Sequence, residues 1–346
     1  MNSRKEMKAV LLKQYDRDLA HAIDALEVTT RPIPRPSRGQ VLVRMAAAPC
    51  NQSDLLLIRG LYGVKKRLPT VPGWEGTGTV VDHGGGLVAR RLMGKRVACG
   101  GQEDRDGTWA EYFVAGATGC IPLEKEIPWE QGASLIVNPL TAVGLLDETK
   151  KLGARAAIQN AAMSQAGRML VRLFASEGIP LINIVRRPDQ EVRLREMGAS
   201  HVLNSESPEF PERLRHLAHE LGATVAFDAV AGPATGALID SMPAHSTVLV
   251  YGALSDKRSE GIDPIDMIFA GKTVRGFYMG EWLHKRGLLG ALRAISRVKR
   301  LVRRGVLTTD FALRFGINEV REGLRSYVER YSQGKALLLL DGGAGD

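Results

Sequence analysis

The sequence contains few cysteines and few aromatic residues, and it has no long apolar run. Three cysteines, Cys50, Cys99 and Cys120, are spread over 346 residues, so they form neither a disulfide framework nor a Cys-x-x-Cys metal site. This usage indicates a reducing compartment. Aromatic residues make up 5% of the chain, so its cores must be mainly aliphatic. No stretch approaches the roughly 20 apolar residues of a membrane span, which excludes a membrane protein.

The first residues also lack the apolar stretch of a targeting signal. Basic side chains occur within residues 1–6, but a strand-like run begins at Lys8 without an apolar segment between them. We therefore expect no signal or transit peptide, and a cytoplasmic protein.

The charged residues are unbalanced towards the basic side. Lysine and arginine number 47 and aspartate and glutamate 38, which gives a net charge of +9. Such a charge fits nucleic acid, a phosphate-rich small molecule or an acidic carrier protein as a partner. A hydrophobic content of 44% and a charged content of 25% are ordinary for a folded globular chain. The length predicts about two domains.

Residues 1 to about 130 consist of short β-like runs that glycine and proline interrupt. The runs are residues 8–12, 40–49, 76–84, 94–99 and 108–115. Short strands separated by turns predict an irregular β-barrel or sheet domain. Residues 29–40 contain three prolines and are expected to be a connector.

From about residue 133 the pattern changes to alternating strands and helices. The predicted strands are 154–160, 180–186, 201–204, 223–230, 246–252 and 273–279, with helices near 165–178, 188–198, 208–221 and 232–241. Near-continuous apolar strands that alternate with helices indicate a parallel sheet covered on both faces. The pattern predicts an α/β fold with a doubly wound Rossmann sheet that binds a dinucleotide.

The last part of the chain predicts one helix and two further strands. The helix covers about 287–304, and the strands are 311–315 and 335–340. We expect this tail to return to the first domain. The predicted domains are therefore 1–132, 133–279 and 280–346.

The first strand-to-helix turn of the α/β region is the candidate pyrophosphate site. Small residues let the backbone approach the anion, and the helix N-terminus offers it free N–H groups. The small residues here are Ala161, Ala162, Ser164, Ala166 and Gly167, with the bulkier Met163 and Gln165 among them. This is not a GxGxxG motif, so a plain strand-to-helix turn is the alternative interpretation.

The end of the second strand distinguishes NADPH from NADH. An acidic residue there binds the ribose 2′-hydroxyl in NAD-dependent proteins, whereas this strand ends in Arg186 and Arg187. A guanidinium suits a 2′-phosphate, so we predict NADPH as the cofactor. Two solvated arginines are the alternative interpretation. Asp189 lies past Pro188 and is the weaker candidate for a ribose ligand.

Motifs along nearly the whole chain resemble those of the medium-chain dehydrogenase/reductase superfamily. The motifs are NQSDLLLIRGLYG (51–63), VPGWEGTGTVV (71–81), VNPLTAVGLL (137–146), NAAMSQAG (160–167), INIVRRPD (182–189), FDAVAG (227–232), VYGALS (250–255) and RGFYMGEW (275–282). The resemblance implies a GroES-like, β-rich catalytic domain, a Rossmann domain and a C-terminal return. It also implies a homodimer that pairs edges of the dinucleotide-binding sheets.

The metal-ligand positions of the zinc-dependent members carry other residues in this chain. Those members place a cysteine and a histidine where this chain has Asn51 and Trp74, and their cysteine-rich zinc lobe has no counterpart here. Without soft ligands at tetrahedral spacing we predict no metal site. His216 and His219 are close in sequence, but no third ligand lies near them. The chain thus resembles the zinc-free branch, which reduces activated double bonds or quinones.

Within that branch the chain is most similar to the mitochondrial-type 2-enoyl thioester reductases. The resemblance rests on VNPLTA, QNAAMS and INIVRRPD, and it places Tyr62 on that family's catalytic tyrosine. Quinone reductases often carry a tyrosine in this loop as well. Asn51 and Trp74 are then expected near the nicotinamide or the substrate. The residues expected to bind the cofactor also include Asn138, Thr141, Tyr251, Phe277, Tyr278, Met279 and Lys335, the last at the cofactor phosphate.

Several of these side chains also have a purely structural interpretation. The alternatives are a loop anchor for Tyr62, a core residue for Trp74, a helix start for Asn138 and an edge-strand lysine for Lys335.

We predict that the chain reduces the α,β double bond of a 2-enoyl thioester with NADPH. Hydride passes from the nicotinamide to the β-carbon, and the Tyr62 hydroxyl stabilises the enolate oxygen. The alternative enzyme is an NADPH:quinone reductase. The alternative without turnover is a nucleotide-binding relative, because Met163 and Gln165 alter the phosphate turn.

The predicted helix near 287–304 is strongly basic. Residues 285–304 contain eight basic side chains and no acidic one, and Leu288, Leu292, Ile295 and Val302 are spaced as a buried stripe. A solvated face is the default interpretation. A docking surface for an acidic carrier protein or for coenzyme A phosphates is the sharper one. No aromatic platform or DNA-binding motif accompanies the helix, so nucleic acid is not a predicted partner.

Overall fold

The computed structural model describes residues 5–101 and 104–340. The strands are β1 Glu6–Leu11, β2 Glu27–Pro32, β3 Gln40–Pro49, β4 Glu75–His83, β5 Arg96–Gly100, β6 Tyr112–Gly116, β7 Ile121–Pro122, β8 Ala156–Gln159, β9 Leu181–Val185, β10 His201–Asn204, β11 Ala223–Asp228, β12 Thr247–Val250, β13 Thr273–Gly276, β14 Phe311–Gly316 and β15 Lys335–Leu339. The α-helices are α1 Leu19–Asp24, α2 Gln52–Ile58, α3 Leu87–Leu92, α4 Trp129–Ala133, α5 Val137–Lys151, α6 Gln165–Ser176, α7 Pro188–Glu196, α8 Phe210–Leu221, α9 Pro233–Ser241, α10 Pro264–Phe269, α11 Met279–Lys285, α12 Gly287–Arg303 and α13 Val320–Glu329. Across these described residues, no helix is both long enough and apolar enough to span a membrane.

The chain divides into two compact units. Unit 1 comprises Met1–Val137 and Thr308–Asp346, of which the ranges given above are described, and unit 2 comprises Asn138–Leu307. These bounds differ from the predicted ones because α12 packs within unit 2. Arg297 of α12 forms ion pairs with Asp147 at 3.0 Å and with Glu177 at 2.7 Å, which tie the helix to that unit.

Unit 1 contains a seven-stranded sheet in the order β14-β15-β3-β4-β5-β7, with β6 also paired to β3. The central strand β3 is apolar over most of its length, and its side chains are buried in the core of this unit. β15 pairs antiparallel with β3 through residues 337–339, so the last described strand lies in the sheet of unit 1. A separate antiparallel pair, β1 and β2, shows that the expected connector at 29–40 begins as a strand.

Unit 2 contains a parallel six-stranded sheet in the order β10-β9-β8-β11-β12-β13. All neighbouring strands in it run parallel, which confirms the predicted doubly wound α/β fold. The strand order reverses between β8 and β11. In such sheets ligands bind beyond the carboxyl ends of the strands at this reversal.

The buried face of α12 differs from the predicted stripe. Val302 is buried as predicted, but Leu288 is 70% exposed and Leu292 is 50% exposed. The other buried residues of the helix are Ala294, Val298 and Leu301. The Arg297 ion pairs explain the difference, because they turn a polar position of the helix towards its own unit. The leucines near the start of α12 are therefore left at the surface.

Candidate active site

The start of α2 places Asn51 and Asp54 in the interior of unit 1. Asn51 is the residue before the first turn, and Asp54 Oδ2 accepts a 2.7 Å hydrogen bond from its backbone N–H. Such a contact from the third helical position fixes where a helix begins. Both side chains are buried, so their orientation is set by these bonds rather than by solvent.

Asp54 also holds the loop that carries Trp74. Its Oδ1 accepts a 3.0 Å hydrogen bond from the Trp74 backbone N–H. Burial raises the pKa of Asp54 from 3.8 to about 7, although the Asn51 N–H and the Lys335 cation favour the charged form. The preceding Gly73 has a φ of +105°, and a Cβ there would lie 2.4 Å from Thr108 Oγ1, so glycine is required.

Glu75 and Lys335 complete a group of buried polar side chains. Glu75 accepts hydrogen bonds from Asn51 Nδ2 at 3.1 Å and from the backbone N–H groups of Ile136 and Val137 at 2.9 Å each. Lys335 Nζ donates to Asn51 Oδ1 and lies 3.5 Å from Glu75 Oε1. We call Asn51, Asp54, Glu75 and Lys335 the buried cluster.

Tyr62 packs against Trp74 in the loop that follows α2. Their ring centroids are 5.1 Å apart and the ring planes are tilted by 44°. The Tyr62 backbone N–H donates to the Leu56 carbonyl at 3.1 Å, and Gly60 turns the chain with a φ of +67°. Lys66 Nζ lies 4.7 Å from the Trp74 ring centroid, and burial lowers the pKa of Lys66 to about 8. The phenol is thus held by backbone and ring contacts.

The three predicted catalytic residues are therefore neighbours within unit 1. Asp54 links Asn51 to Trp74, and the ring contact links Trp74 to Tyr62. Lys335 was expected at the cofactor phosphate, but its ammonium contacts Asn51 and Glu75 in this structure. Its role as a cofactor ligand stays a prediction.

Sequence reasoning does not single out Asp54, Glu75 or Lys66. The first two stand inside motifs quoted above. The complete burial of Glu75 was not predictable from spacing alone, because its partners Ile136 and Lys335 lie 61 and 260 positions away in the chain. Lys66 carries no distinguishing sequence signal in the basic run 65–67.

The predicted pyrophosphate turn of unit 2 has the geometry of a close backbone approach. Ala161 adopts a φ of +48°, and the Ala162 N–H donates to the Ile184 carbonyl. A Cβ at Gly167 would lie 2.5 Å from the Ala162 carbonyl oxygen, so glycine lets α6 approach the turn. Ser164 caps α6 by accepting the Gly167 N–H at 3.1 Å. These features fit an anion at the helix N-terminus.

The two bulky residues of this turn are both buried in unit 2. Met163 is buried in an apolar cluster with Val171, Val185 and Leu194. Gln165 is also buried, and its Oε1 accepts a 2.9 Å hydrogen bond from Arg168. The departure from a glycine-rich motif is therefore accommodated in the interior of unit 2.

The arginines after β9 are both exposed but have different partners. Arg187 donates two hydrogen bonds to Asp189, at 2.9 Å and 3.3 Å. Within the described part of the chain, the Arg186 guanidinium forms no ion pair. A phosphate can thus bind the Arg186 guanidinium without breaking an existing ion pair.

The remaining predicted cofactor residues are distributed over unit 2. Asn138 and Thr141 are three positions apart on α5, and therefore on one side of it. The Tyr251 hydroxyl follows β12, is buried and has no hydrogen-bond partner among the described residues; burial raises its pKa. Phe277 is buried against Trp282. Tyr278 is exposed and caps α11, which begins at Met279.

A polar network at the carboxyl end of β11 was missed by the sequence analysis. The buried Asp228 accepts hydrogen bonds from Asn160 Nδ2 at 2.6 Å, Thr235 Oγ1 at 2.6 Å and the Ala231 N–H at 2.9 Å. Asn160 Oδ1 in turn accepts from the Ala229 N–H at 2.7 Å. The network joins the ends of β8 and β11, where the strand order reverses.

Comparison with known proteins identifies the family. The family model "Alcohol dehydrogenase GroES-like domain" matches residues 37–125, and "Zinc-binding dehydrogenase" matches residues 166–295. The mitochondrial enoyl-[acyl-carrier-protein] reductase of Caenorhabditis elegans is 31% identical over 261 residues, which cover 72% of this chain and 71% of that protein. The protein of the same name from Bos taurus is 29% identical over 307 residues, 87% of this chain and 81% of its own length. This chain belongs to the medium-chain dehydrogenase/reductase superfamily.

A solved structure of a superfamily member is similar over nearly the full length. A candidate NADPH:quinone reductase from Mesorhizobium loti is 32% identical, with a TM-score of 0.91, and the match covers 98% of this chain and 100% of that one. A mutant form of enoyl thioester reductase from Candida tropicalis shares the fold at 22% identity, with a TM-score of 0.79 over 96% of this chain and 99% of that one.

Asn51 and Trp74, the two positions compared above with the metal ligands of zinc-dependent members, lie in the first matched range. Within residues 5–101 and 104–340 no three histidine, cysteine or acidic side chains are grouped as metal ligands. The zinc-free state stays a prediction.

Proposed function

We propose that this protein reduces the α,β double bond of 2-enoyl thioesters with NADPH. The observation that carries the proposal is the Tyr62–Trp74 pair, which is fixed to the buried cluster through Asp54. Similarity to enoyl-[acyl-carrier-protein] reductases over most of the chain supports the substrate class.

In this reaction the residues of unit 1 act on the thioester. When bound, NADPH supplies a hydride to the β-carbon, and a proton added at the α-carbon completes the saturated product. Tyr62 Oη donates a hydrogen bond to the thioester oxygen as negative charge develops there, and it helps deliver the proton. Trp74 forms a wall of the substrate site and holds the phenol in orientation.

The residues of unit 2 hold the cofactor. The pyrophosphate binds at the turn from Ala162 to Gly167, with Ser164 at the helix start, and Arg186 binds the 2′-phosphate. The Tyr251 hydroxyl, buried after β12 and without a hydrogen-bond partner among the described residues, is a hydrogen-bond donor for the nucleotide. We also retain Asn138, Thr141, Phe277, Tyr278 and Met279 as proposed cofactor residues.

The second candidate function is reduction of quinones. It is favoured by the 32% identity and the TM-score of 0.91 to the candidate quinone reductase of Mesorhizobium loti. NADPH oxidation should therefore be measured in parallel with crotonyl-CoA, a longer enoyl-CoA and a 1,4-quinone. We expect turnover of an enoyl thioester. Turnover of the quinone alone would establish the second candidate, and NADPH binding without turnover of any acceptor would establish a nucleotide-binding relative.

We propose that the protein works without zinc. The Asn51 side chain bonds to Glu75 and Lys335, and the Trp74 ring packs on Tyr62, so both side chains serve other contacts. Elemental analysis of the purified protein should find no stoichiometric metal, and one zinc per chain would contradict the proposal.

We propose an acidic carrier protein as the partner that presents the substrate. The start of α12 exposes Leu288, Leu289 and Leu292 beside Arg293 and Arg300, and we call these five residues the docking face. An open groove of about 470 Å³ runs along it. Exposed leucines bordered by cations fit an acidic amphipathic helix.

We propose a homodimer in the cytoplasm. In the part of the chain that the structure describes, β13 is the last strand of its sheet, and no strand pairs with its outer edge. The neighbouring α10 exposes Ile265, Ile268 and Phe269, an apolar surface that a second copy would cover. Relatives named as mitochondrial make cell fractionation the test of the compartment.

A further inference from the structure

The buried cluster contains more carboxyl groups than ammonium groups. Asp54 and Glu75 are fully buried carboxyl groups, and Lys335 is a 3% exposed lysine among them. A buried charge is tolerated only when partners replace the lost water. The backbone N–H groups that Asp54 and Glu75 accept supply part of this replacement, and the Lys335 ammonium supplies the cation.

The position of Lys335 is fixed by the strand on which it lies. Lys335 begins β15, its backbone N–H donates to the Asp310 carbonyl at 2.7 Å, and the next residues enter the pairing with β3. The side chain then points to Asn51 and Glu75. The strand therefore fixes the backbone of Lys335, and the contacts with Asn51 and Glu75 fix its ammonium.

A short series of bonds connects this ammonium to the tyrosine. Lys335 holds the Asn51 side chain, and the Asn51 backbone N–H bonds to Asp54. Asp54 accepts the Trp74 N–H, and the Trp74 ring packs on Tyr62. Each step is a direct contact within unit 1.

We propose that Lys335 is a positioning residue whose buried ammonium orders Asn51 and Glu75 and, through Asp54, fixes the Trp74–Tyr62 pair. This role rests on the proposed function of Tyr62. It places an ammonium group beside Asn51, a position at which zinc-dependent relatives carry a metal ligand. It also gives Lys335 a role in ordering the tyrosine site of unit 1 rather than in binding the cofactor phosphate.

The pKa of Asp54 depends on the Lys335 ammonium and so provides a measurable sign of its presence. The charged or titratable groups that face Asp54 are Glu75, Lys335, Lys66 and the Cys50 thiol. The pKa of Asp54 is about 7, and Lys335 is one of the groups that lower it. Loss of the ammonium must therefore raise this pKa further, so that Asp54 becomes protonated at a higher pH.

The test compares Lys335→Met with Lys272→Met in the full chain. Lys272 is the matched control, because it is also buried and pairs with Asp266 at 2.6 Å in unit 2. Backbone hydrogen exchange of residues 59–75 measures the loop directly, without reference to any substrate. We expect at least tenfold faster exchange at the Trp74 amide in Lys335→Met, and no change there in Lys272→Met.

Activity and cofactor binding supply the second readout. In Lys335→Met we expect kcat to fall about 10- to 100-fold, its acid limb to move to higher pH, and the Kd for NADPH to stay within twofold. A selective loss of NADPH over NADH binding with kcat unchanged would overturn the proposal in favour of a phosphate ligand. Unchanged exchange and unchanged kcat would overturn it as well.

An unstable Lys335→Met variant, or a wild type that reduces only quinones, still leaves the proposal testable. If Lys335→Met is too unstable, Glu75→Gln/Lys335→Met removes both charges, and the same exchange and kcat effects are expected in that stable background. If the wild type reduces quinones only, the proposed function fails, whereas the exchange result still decides whether Lys335 orders the loop.

Discussion

The Tyr62 hydroxyl is a single group whose removal leaves the packing against Trp74 intact. Because its hydrogen bond strengthens only as charge develops on the thioester oxygen, Tyr62→Phe should lower kcat far more than it changes KM. The loss of one such donor typically costs about 10²–10³ in rate. Steady-state kinetics with an enoyl-CoA measure this effect.

A matched control and a second acceptor complete this prediction. Tyr331→Phe removes a hydroxyl from a ring that packs on Tyr327 elsewhere in unit 1, and it should leave kcat unchanged. A quinone accepts hydride readily and takes its protons from water, so Tyr62→Phe should retain most quinone activity. Intact enoyl reduction in Tyr62→Phe would show that the residue only anchors its loop.

The two arginines after β9 should contribute unequally to NADPH binding. Arg186→Ala should weaken NADPH binding by about 1.5–3 kcal/mol, the contribution of a charge-assisted hydrogen bond. Arg187→Ala should cost less, because Asp189 already holds that guanidinium. Isothermal titration with NADPH and NADH distinguishes the variants. Equal losses for both cofactors in Arg186→Ala would mean that Arg186 does not read the 2′-phosphate.

Asp54 should make the stability of the protein depend on pH. The folded-state pKa of about 7 lies above the ordinary 3.8, so the stability present below about pH 4 is lost as the pH rises through 7. The full difference corresponds to roughly 4 kcal/mol. The variant Asp54→Asn has no carboxyl group to ionise and does not lose this stability. As the pH rises from 5 to 8, its free energy of unfolding should therefore increase relative to that of the wild type. Urea unfolding at both pH values measures it, and a constant difference would contradict the assignment.

At the scale of single residues, the sequence allowed the selection of site candidates whose residue type is unusual for their motif. Asn51 and Trp74 are recognisable because they stand where metal ligands are expected, and Tyr62 because the resemblance places it on the catalytic tyrosine of the enoyl thioester reductases. The contacts that hold them were not predictable. Asp54, Glu75 and Lys335 meet only after strands far apart in sequence have paired, and no local pattern encodes that meeting.

Among the elements, periodicity located the parallel strands well. β10 was predicted with the observed bounds, and the other strands of unit 2 differ by one to three residues at their ends. α12 shows the limit of the same reasoning. Its apolar spacing predicted burial of Leu288 and Leu292, but ion pairs of Arg297 determine which face is covered.

The exposed start of α12 should govern the choice between thioester carriers. Arg293→Glu/Arg300→Glu reverses charge on the docking face, so kcat/KM should fall at least tenfold for an enoyl group on an acidic carrier protein. The value for the small, untethered substrate N-acetylcysteamine thioester should not change. Arg90→Glu/Arg91→Glu on α3 makes the same charge change elsewhere and is the control. Equal effects of both double variants would indicate general electrostatic attraction instead.

For the whole molecule, the open edge of the unit 2 sheet predicts self-association. Phe269, at the end of the helix that precedes β13 in the chain, is 78% exposed, so Phe269→Glu would place a charge in the proposed dimer interface. Light scattering should show a dimer for wild type and a monomer for this variant. Leu87→Glu, at an exposed leucine of unit 1, should remain dimeric. A wild-type monomer would contradict the proposed assembly.

The division of the chain also has a consequence for the order in which the ribosome delivers its parts. Unit 2 is one continuous stretch, whereas unit 1 is interrupted by it and resumes at Thr308. During synthesis, the nascent chain therefore contains every strand of the parallel sheet before β15 exists. Until residue 335 emerges, β3 lacks one neighbour, and the carboxyl groups of Asp54 and Glu75 lack their ammonium. The half of the protein that begins first is thus completed last, by the residue that we propose fixes its tyrosine.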